Sequence, residues 1–153
     1  MKVVKNACFG GFGLSVEAIK ELTLRDAKCI EKITPKKYYG GESKGFPCYA
    51  PDWEEKWNKD FPKEYKDIGD GFWGHEMGFH IYKDGIIYDY EDGDFNSKPN
   101  RADKDLVEVV EKMGEESFGD HAELTVVEIP DGTKIEFDEY DGVETIREIH
   151  RSW

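Results

Sequence analysis

The chain opens with a strand, a glycine turn and a helix in immediate succession, and this order constrains the fold more than any other feature. Residues 1–8 carry two central valines and predict a β-strand. The run Gly10-Gly11-Phe12-Gly13 ends the strand, because glycine adopts backbone conformations that other residues avoid. Ser15 then predicts a helix N-cap, and the apolar residues behind it recur at helical spacing.

Length and composition predict one globular domain. With 153 residues and 14% aromatic side chains, the chain can bury a single core although 36% of its residues are charged. The net charge of −13 is uneven, since residues 1–50 carry nine Lys or Arg against five acids and residues 51–153 carry the acidic excess. Direct nucleic-acid binding is therefore not expected. Two readings of the charge stay open, which are solubility and acidic imitation of nucleic acid against a basic protein.

The sequence carries no signal for a membrane span or a disulfide framework. No apolar run reaches the length of a bilayer-crossing helix, so we expect no membrane partner and a cytoplasmic location. Cys8, Cys29 and Cys48 are odd in number and widely spaced, which predicts free thiols.

The middle of the chain predicts an irregular excursion followed by a hairpin. From about residue 35 to residue 72 the sequence is rich in aromatic residues and lacks sustained periodicity. Trp53, Trp57 and Phe61 fall at helical spacing and predict one short helix there. Residues 77–90 alternate as a β-hairpin does, with an Asp-Gly turn.

The last part of the chain predicts a helix, two strands and a final helix. Residues 104–113 have a helical apolar stripe, and Asp103 or Asn100 can cap it. Residues 124–130 and 134–138 predict two strands joined by an Asp-Gly turn. Helices thus separate pairs of antiparallel strands. We therefore predict a single α+β domain over the whole chain, with an antiparallel or mixed sheet and about three helices.

The predicted C-terminal helix, residues 143–153, divides into two faces. Its core face consists of apolar residues at three- and four-residue steps: Val143, Ile146, Ile149 and Trp153. Its charged residues lie on another face, which predicts either salt bridges within the helix or contacts with a ligand.

The glycine turn predicts an anion site. Backbone N–H groups in the turn and at the start of the helix lack helical partners and can bind phosphate or carboxylate. The spacing after Gly13 does not match a dinucleotide fingerprint, and the lysine of a phosphate-binding P-loop is missing, so we expect no cofactor. The competing interpretation is a tight turn that packs helix against sheet.

The two ends of the chain resemble a family of small, uncharacterised tailed-bacteriophage and prophage proteins. The resemblance rests on the GGFGLS turn at residues 10–15 and the ending YDGVETIREIHRSW at residues 140–153. Arg101, in Asn100-Arg101-Ala102-Asp103, also matches an Arg-Asp pairing of that family, although Lys104-Asp105 departs from its usual continuation. The resemblance implies a phage origin and names no activity.

Chemically capable residues concentrate at the two chain ends, and we predict that they form one ligand pocket. Arginine is scarce, and its planar guanidinium can bind phosphate or carboxylate in a bidentate manner. The predicted ligand-binding residues are Gly10, Gly11, Phe12, Gly13, Ser15, Arg101, Tyr140, Asp141, Glu144, Arg147, Glu148, His150, Arg151 and Trp153.

Neither a metal site nor a catalytic triad is predicted. The four histidines match no zinc motif, and no nucleophile elbow surrounds Ser15. We therefore expect binding without turnover.

Three functions stay open. The first is a phage anti-defence protein that sequesters a small, anionic, nucleotide-like host signalling molecule, in a homo-oligomer where a shared interface closes over the ligand. The alternative is an acidic inhibitor, a nucleic-acid mimic, of a host defence enzyme. The third is a nucleotide-cleaving enzyme that uses His150 and Glu148 as acid and base.

Overall fold

The computed structural model describes residues 1–35, 42–43, 46–47, 53–78, 80–90 and 100–149, and it shows the predicted α+β architecture. Its elements follow one another as β1 (Lys2–Asn6), α1 (Val16–Leu24), β2 (Ile30–Ile33), β3 (Glu42–Ser43), β4 (Phe46–Pro47), α2 (Trp53–Glu64), β5 (Tyr65–Gly69), β6 (Phe72–His75), β7 (His80–Lys83), β8 (Ile86–Tyr90), α3 (Lys104–Met113), a 3₁₀ turn (Gly114–Ser117), β9 (Leu124–Glu128), β10 (Ile135–Tyr140) and β11 (Val143–Glu148). All pairs of neighbouring strands are antiparallel.

A five-stranded sheet in the order β2-β8-β7-β6-β5 forms the largest layer. The predicted hairpin at its centre is confirmed as β7 and β8. Asp84 and Gly85 turn between them with φ of 49° and 80°, which is the left-handed pair that a tight hairpin turn requires. The turn fixes the register, so Ile81 lies opposite Tyr88.

Helix α1 packs on this sheet and against α3, and α3 packs on strands β1 and β9; together the two helices bury the main core. The predicted Ser15 cap is confirmed, since its side chain accepts a hydrogen bond from Ala18 N at 3.1 Å. Asp103 caps α3 in the same way, accepting from Asp105 N and Leu106 N. Both helices direct their apolar stripes inward, so Leu22 and Leu106 are fully buried.

Three strand pairs accompany this sheet among the described residues, β3–β4, β1–β9 and β10–β11, and the last two differ from the predicted arrangement. Residues 124–130 and 134–138 do form strands, but these do not pair with each other. Strand β9 pairs with β1, and β10 pairs with β11. Local turn chemistry predicted a hairpin, whereas long-range pairing with the first strand occupies β9.

The predicted C-terminal helix is wrong, because residues Val143–Glu148 form strand β11. Asp141 and Gly142 have φ of 50° and 90°, so they form a hairpin turn that returns the chain along β10. The apolar spacing of Val143, Ile146 and Ile149 imitates a helix, but this turn sets the conformation. Trp153, the last member of the predicted core face, lies outside the described residues.

The predicted excursion contains more regular structure than expected. The short helix is confirmed as α2, but β5 lies within the same range, β6 starts at its end, and β2 precedes it. Asp70 and Gly71 make the β5–β6 turn with φ of 58° and 79°, so an Asp-Gly signal for these strands was present in the sequence.

The cysteines agree with the prediction where they are described. Cys8 and Cys29 are free thiols, while Cys48 lies outside the described residues. Burial raises the pKa of the Cys29 thiol to about 12, so it is neutral and unreactive. Within the described ranges, the helices all fall short of the length and apolar character that a bilayer crossing demands.

Candidate functional site

The two ends of the described chain meet through direct backbone contact. Gly10 N donates a hydrogen bond to Asp141 O at 3.3 Å. A methyl group on Gly142 would overlap the backbone nitrogens of Gly10 and Gly11, so only glycine allows this approach. The structure thus brings the predicted glycine turn against the turn between β10 and β11.

Beneath this contact lies a buried polar junction made by Asn6, Arg101 and Glu144. The Arg101 guanidinium binds the Glu144 carboxylate in a bidentate manner, with N–O distances of 3.1 and 2.7 Å. The Oε2 atom of Glu144, which binds Arg101 at 3.1 Å, also accepts a hydrogen bond from Asn6 N at 2.7 Å. Arg101 is 4% exposed and Glu144 is 1% exposed. The charges therefore compensate each other in a region closed to water.

Hydrogen bonds of the Asn6 side chain connect the polar junction to the residues just after β1 and to two segments distant in sequence. Its amide nitrogen donates to Cys8 O and to Gly142 O, and its amide oxygen accepts from Glu123 N. A fully buried asparagine with all these bonds fixes the relative positions of its partners. Sequence reasoning missed Asn6, although an amide within an apolar strand was an available signal.

The polar junction corrects the predicted roles of Arg101 and Glu144. Both were expected to contact a ligand, and Glu144 was placed on a helix surface. Each instead has the other as its charged partner inside the protein. The Arg101 guanidinium also stacks on the Phe12 ring, 3.4 Å from its centroid. Arg101 therefore holds Phe12 in place and covers one face of the ring that was predicted for a ligand.

The predicted anion site at the start of α1 is occupied by the protein itself. Ser15 N donates to Ser117 O at 3.0 Å, and the Ser15 hydroxyl donates to Glu116 O at 2.6 Å. Gly119 N donates a hydrogen bond to Gly13 O, between the same two segments. The segment after α3 therefore takes up donors that a phosphate would need. In this part of the turn, the glycines pack the helix against neighbouring segments, and this interpretation agrees with the structure better than an anion site does.

On its other side, the glycine turn borders a cleft with a volume of about 440 Å³. One wall is the turn itself, including Gly11 and Phe12; a second wall comes from residues 119–122; and a third comes from Met77, Gly78 and the end of β8. Gly11 has a φ of 90°, and the space beside its α-carbon is open. The Phe12 ring lies 5.3 Å from the Tyr90 ring, so aromatic side chains join two walls.

Among the described residues that line the cleft, Asp89 and Asp120 carry carboxyl groups and His121 carries an imidazole. Burial raises the pKa of the Asp89 carboxyl to about 6, and nearby Glu31 contributes in the same direction. Asp120 and His121 are exposed at the rim. Sequence reasoning identified residues 10–13 and missed this opposite wall, which is distant in sequence and shows no motif.

The remaining predicted residues lie at the surface or outside the described chain. Tyr140 is 81% exposed beside the turn of the hairpin. Arg147 forms an exposed ion pair with Asp138 at 2.5 Å, and Glu148 is exposed at the end of β11. His150, Arg151 and Trp153 lie outside the described residues, so their predicted roles stay predictions.

A second concentration of capable side chains was not predicted. It is an aromatic cluster formed where α2 packs on the far strands of the sheet: Trp57, Phe61, Tyr65, Trp73, His75, His80 and Tyr82. Buried His80 shares a hydrogen bond with the Tyr65 hydroxyl, and the rings of His75 and His80 lie 4.6 Å apart. Burial, with a smaller contribution from His75, lowers the pKa of His80 to about 3, so His80 is neutral near pH 7.

Across the residues that the structure describes, no group of three or more His, Cys, Asp or Glu side chains is placed to hold a metal ion. The chain matches no protein-family model, no curated protein and no solved structure.

Proposed function

We propose that this protein binds a small nucleotide-like molecule in the cleft beside the glycine turn and sequesters it without turning it over. The observation that carries the proposal is the cleft itself. Its volume of about 440 Å³ falls within the range of small-molecule pockets, and aromatic and apolar side chains dominate its walls. It also borders residues 10–13, where the sequence predicted binding.

The cleft is held in shape by contacts that need no ligand. Arg101 fixes Phe12 from one side, and the polar junction fixes Arg101. Gly13 and Gly119 are joined by a backbone hydrogen bond, so two of the walls are bonded to each other. A pocket that is organised in advance loses less conformational entropy on binding, which favours tight sequestration.

Non-catalytic binding is supported by the engagement of Ser15. Its hydroxyl donates to Glu116 O and accepts from Ala18 N, so both of its hydrogen-bonding functions serve the helix cap. Ser15 is therefore held as a structural cap and is not poised as a nucleophile. The resemblance at the two chain ends implies a phage origin only, and sequestration of a host signalling nucleotide is a role that suits such a protein.

The proposal is tested by calorimetry and thermal shift with nucleosides, linear nucleotides and cyclic nucleotides. Ala122 lines the cleft, so Ala122→Leu fills part of it and weakens binding. Ala7 is exposed outside the cleft, and Ala7→Leu makes the same chemical change as a matched control. We expect a thermal shift in the wild type and in Ala7→Leu, and a smaller one in Ala122→Leu. No shift with any compound contradicts the proposal.

A second candidate, acidic inhibition of a host protein, is favoured by the tip of the β10–β11 hairpin. Tyr140 is 81% exposed there, between the exposed Glu139 and Asp141. Exposed aromatic residues are common energetic anchors of protein interfaces, and the carboxylates suit a basic partner. If the hairpin tip binds a host protein, Tyr140→Ala abolishes capture of a basic host protein at low salt. The same substitution leaves the thermal shifts with nucleosides and nucleotides unchanged. Capture that survives this substitution contradicts a role for the hairpin tip.

A further inference from the structure

We infer that the cleft recognises the nucleobase or nucleoside part of its ligand and leaves any phosphate groups in solvent. This inference rests on the proposed function and specifies its ligand. It replaces the expected anionic contacts with recognition of an uncharged planar heterocycle.

The first support is the charge of the cleft. Its described ionisable residues are two aspartates, Asp89 and Asp120, and one histidine, His121. Among the described lining residues there is neither a lysine nor an arginine. A phosphate that entered here would meet the exposed Asp120 carboxylate at the rim and no cationic side chain of the described lining, and at short range this repulsion is only partly screened by salt.

The second support is the engagement of the nearest guanidinium. Arg101 lies behind Phe12, and its charge is compensated by Glu144 through two hydrogen bonds. Both side chains are buried, so releasing Arg101 to a phosphate would leave the Glu144 carboxylate buried without a counter-charge. Loss of one partner from a buried ion pair is strongly unfavourable.

The third support is the occupied start of α1. The carbonyl groups of Glu116 and Ser117 bind Ser15, and Glu17 adds a carboxylate to the first helical turn. The favourable end of the helix dipole therefore already faces oxygen atoms of the protein. A phosphate would have to displace them.

The remaining chemistry of the cleft suits a heterocycle. Tyr90, Phe12, Leu14 and Met77 supply apolar contact, and Met77 is 60% exposed and can adapt to a ring. Asp120 and His121 provide hydrogen-bonding groups at the edge of this apolar surface. Apolar walls with a few polar groups at one edge match a base, whose faces are apolar and whose rim carries donors and acceptors.

The test compares one nucleoside with its monophosphate and triphosphate by calorimetry on the full chain. We expect the nucleoside to bind at least as tightly as the triphosphate. Raising the salt from about 50 to about 500 mM should leave nucleoside affinity nearly constant and improve triphosphate affinity, because screening weakens the repulsion by Asp120.

A charge-reversal variant sharpens the test. Asp120→Lys should raise the ratio of triphosphate to nucleoside affinity by about tenfold, because it replaces a repulsive contact with an attractive one. Glu128→Lys reverses a charge in the same sense at the exposed end of β9, and it should leave the ratio of triphosphate to nucleoside affinity unchanged. A wild-type preference of more than about tenfold for the triphosphate, weakening with salt as phosphate contacts do, overturns the inference and keeps the proposed function. Binding of none of the three compounds, whichever base is chosen, overturns both.

Discussion

The polar junction and the aromatic cluster bury titratable side chains in opposite ways. In the polar junction, Arg101 and Glu144 form a buried ion pair with an N–O distance of 2.7 Å. In the aromatic cluster, His80 has the uncharged Tyr65 hydroxyl as a hydrogen-bond partner, and burial lowers its pKa to about 3. A buried ionisable group must gain a counter-charge or lose its own charge, and this molecule uses both solutions.

The difference predicts how each region fails. The polar junction depends on both partners of its ion pair, so it is sensitive to substitution. The aromatic cluster depends on His80 staying neutral, so it is sensitive to acid. The first two predictions disturb the polar junction and the turn that rests on it, the third applies acid to the aromatic cluster, and the last applies pH to Asp89 on β8.

Glu144→Ala should have the largest effect on stability. It leaves Arg101 buried without a counter-charge and removes the acceptor of Asn6 N. We expect a loss of about 3–5 kcal/mol in the free energy of unfolding, measured by urea denaturation. The double variant Arg101→Met/Glu144→Leu removes both charges and should recover much of this loss. Glu136→Ala, at an exposed position of β10, is the control and should change little. A loss in Glu144→Ala as small as in the control would show that the buried pair does not hold the junction.

Gly142→Ala should have the next largest effect, and Gly132→Ala is its matched control. Both glycines have positive φ, 90° and 79°, so each substitution carries a backbone cost of about 1–2 kcal/mol. A methyl group on Gly132 meets open space, whereas one on Gly142 overlaps the glycine turn. Overpacking should add about 1–3 kcal/mol at Gly142 alone. Equal losses in the two variants would mean that the turns do not touch as described.

Periodicity and turn chemistry predicted the parts of the fold that depend on local sequence. Helices α1 and α3 follow from apolar stripes behind capping residues, and the β7–β8 hairpin follows from alternation around Asp84-Gly85. In these elements each local signal agrees with the tertiary packing, which is the condition for a prediction from sequence to succeed.

The prediction failed where a local pattern competed with long-range pairing. Val143, Ile146 and Ile149 satisfy a helical period, yet the Asp141-Gly142 turn and pairing with β10 form a strand. Strand β9 is followed by the Asp131-Gly132 connection that predicts a hairpin with β10, but it pairs with β1 from the other end of the chain. A single sequence gives periodicities and turns, but it does not give the partners of its strands.

The candidate site was predicted in location more than in chemistry. Residues 10–13 do border a cleft, and the turn does meet the region around Asp141. The cleft wall at residues 119–122 and the bonding of Asn6 depend on tertiary contacts without a motif. Arg101 was selected for its guanidinium, and only the structure shows that Glu144 already binds it.

His80 should make the aromatic cluster weaken in acid. Its ordinary pKa of 6.5 falls to about 3 in the folded protein, so the unfolded chain binds the proton more readily. The contribution of neutral His80 to the free energy of unfolding is complete above about pH 6.5 and declines as the pH falls towards 3. We expect a loss of about 2 kcal/mol between pH 7 and pH 5. Urea denaturation at these two pH values measures it. His80→Gln should remove this part of the acid sensitivity, whereas His121→Gln, at an exposed histidine, should retain it. Identical pH dependence in wild type and His80→Gln would show that His80 is not buried in its neutral form.

Asp89 should give the smallest effect, and its sign is opposite to that of His80. Burial raises its pKa from 3.8 to about 6, so the folded protein holds the proton more tightly than the unfolded chain does. Stability from this group is present below about pH 3.8 and is lost as the pH rises towards 6. Between pH 5 and pH 4 a protein with Asp89 should therefore gain about 1 kcal/mol relative to one with Asp89→Asn. His80 lies directly opposite Asp89, so the comparison is made in the His80→Gln background, where the His80 contribution is absent. Urea denaturation of the two proteins at both pH values gives this difference. A constant difference would show that the Asp89 carboxyl is in water, as the exposed carboxylates of the surface are.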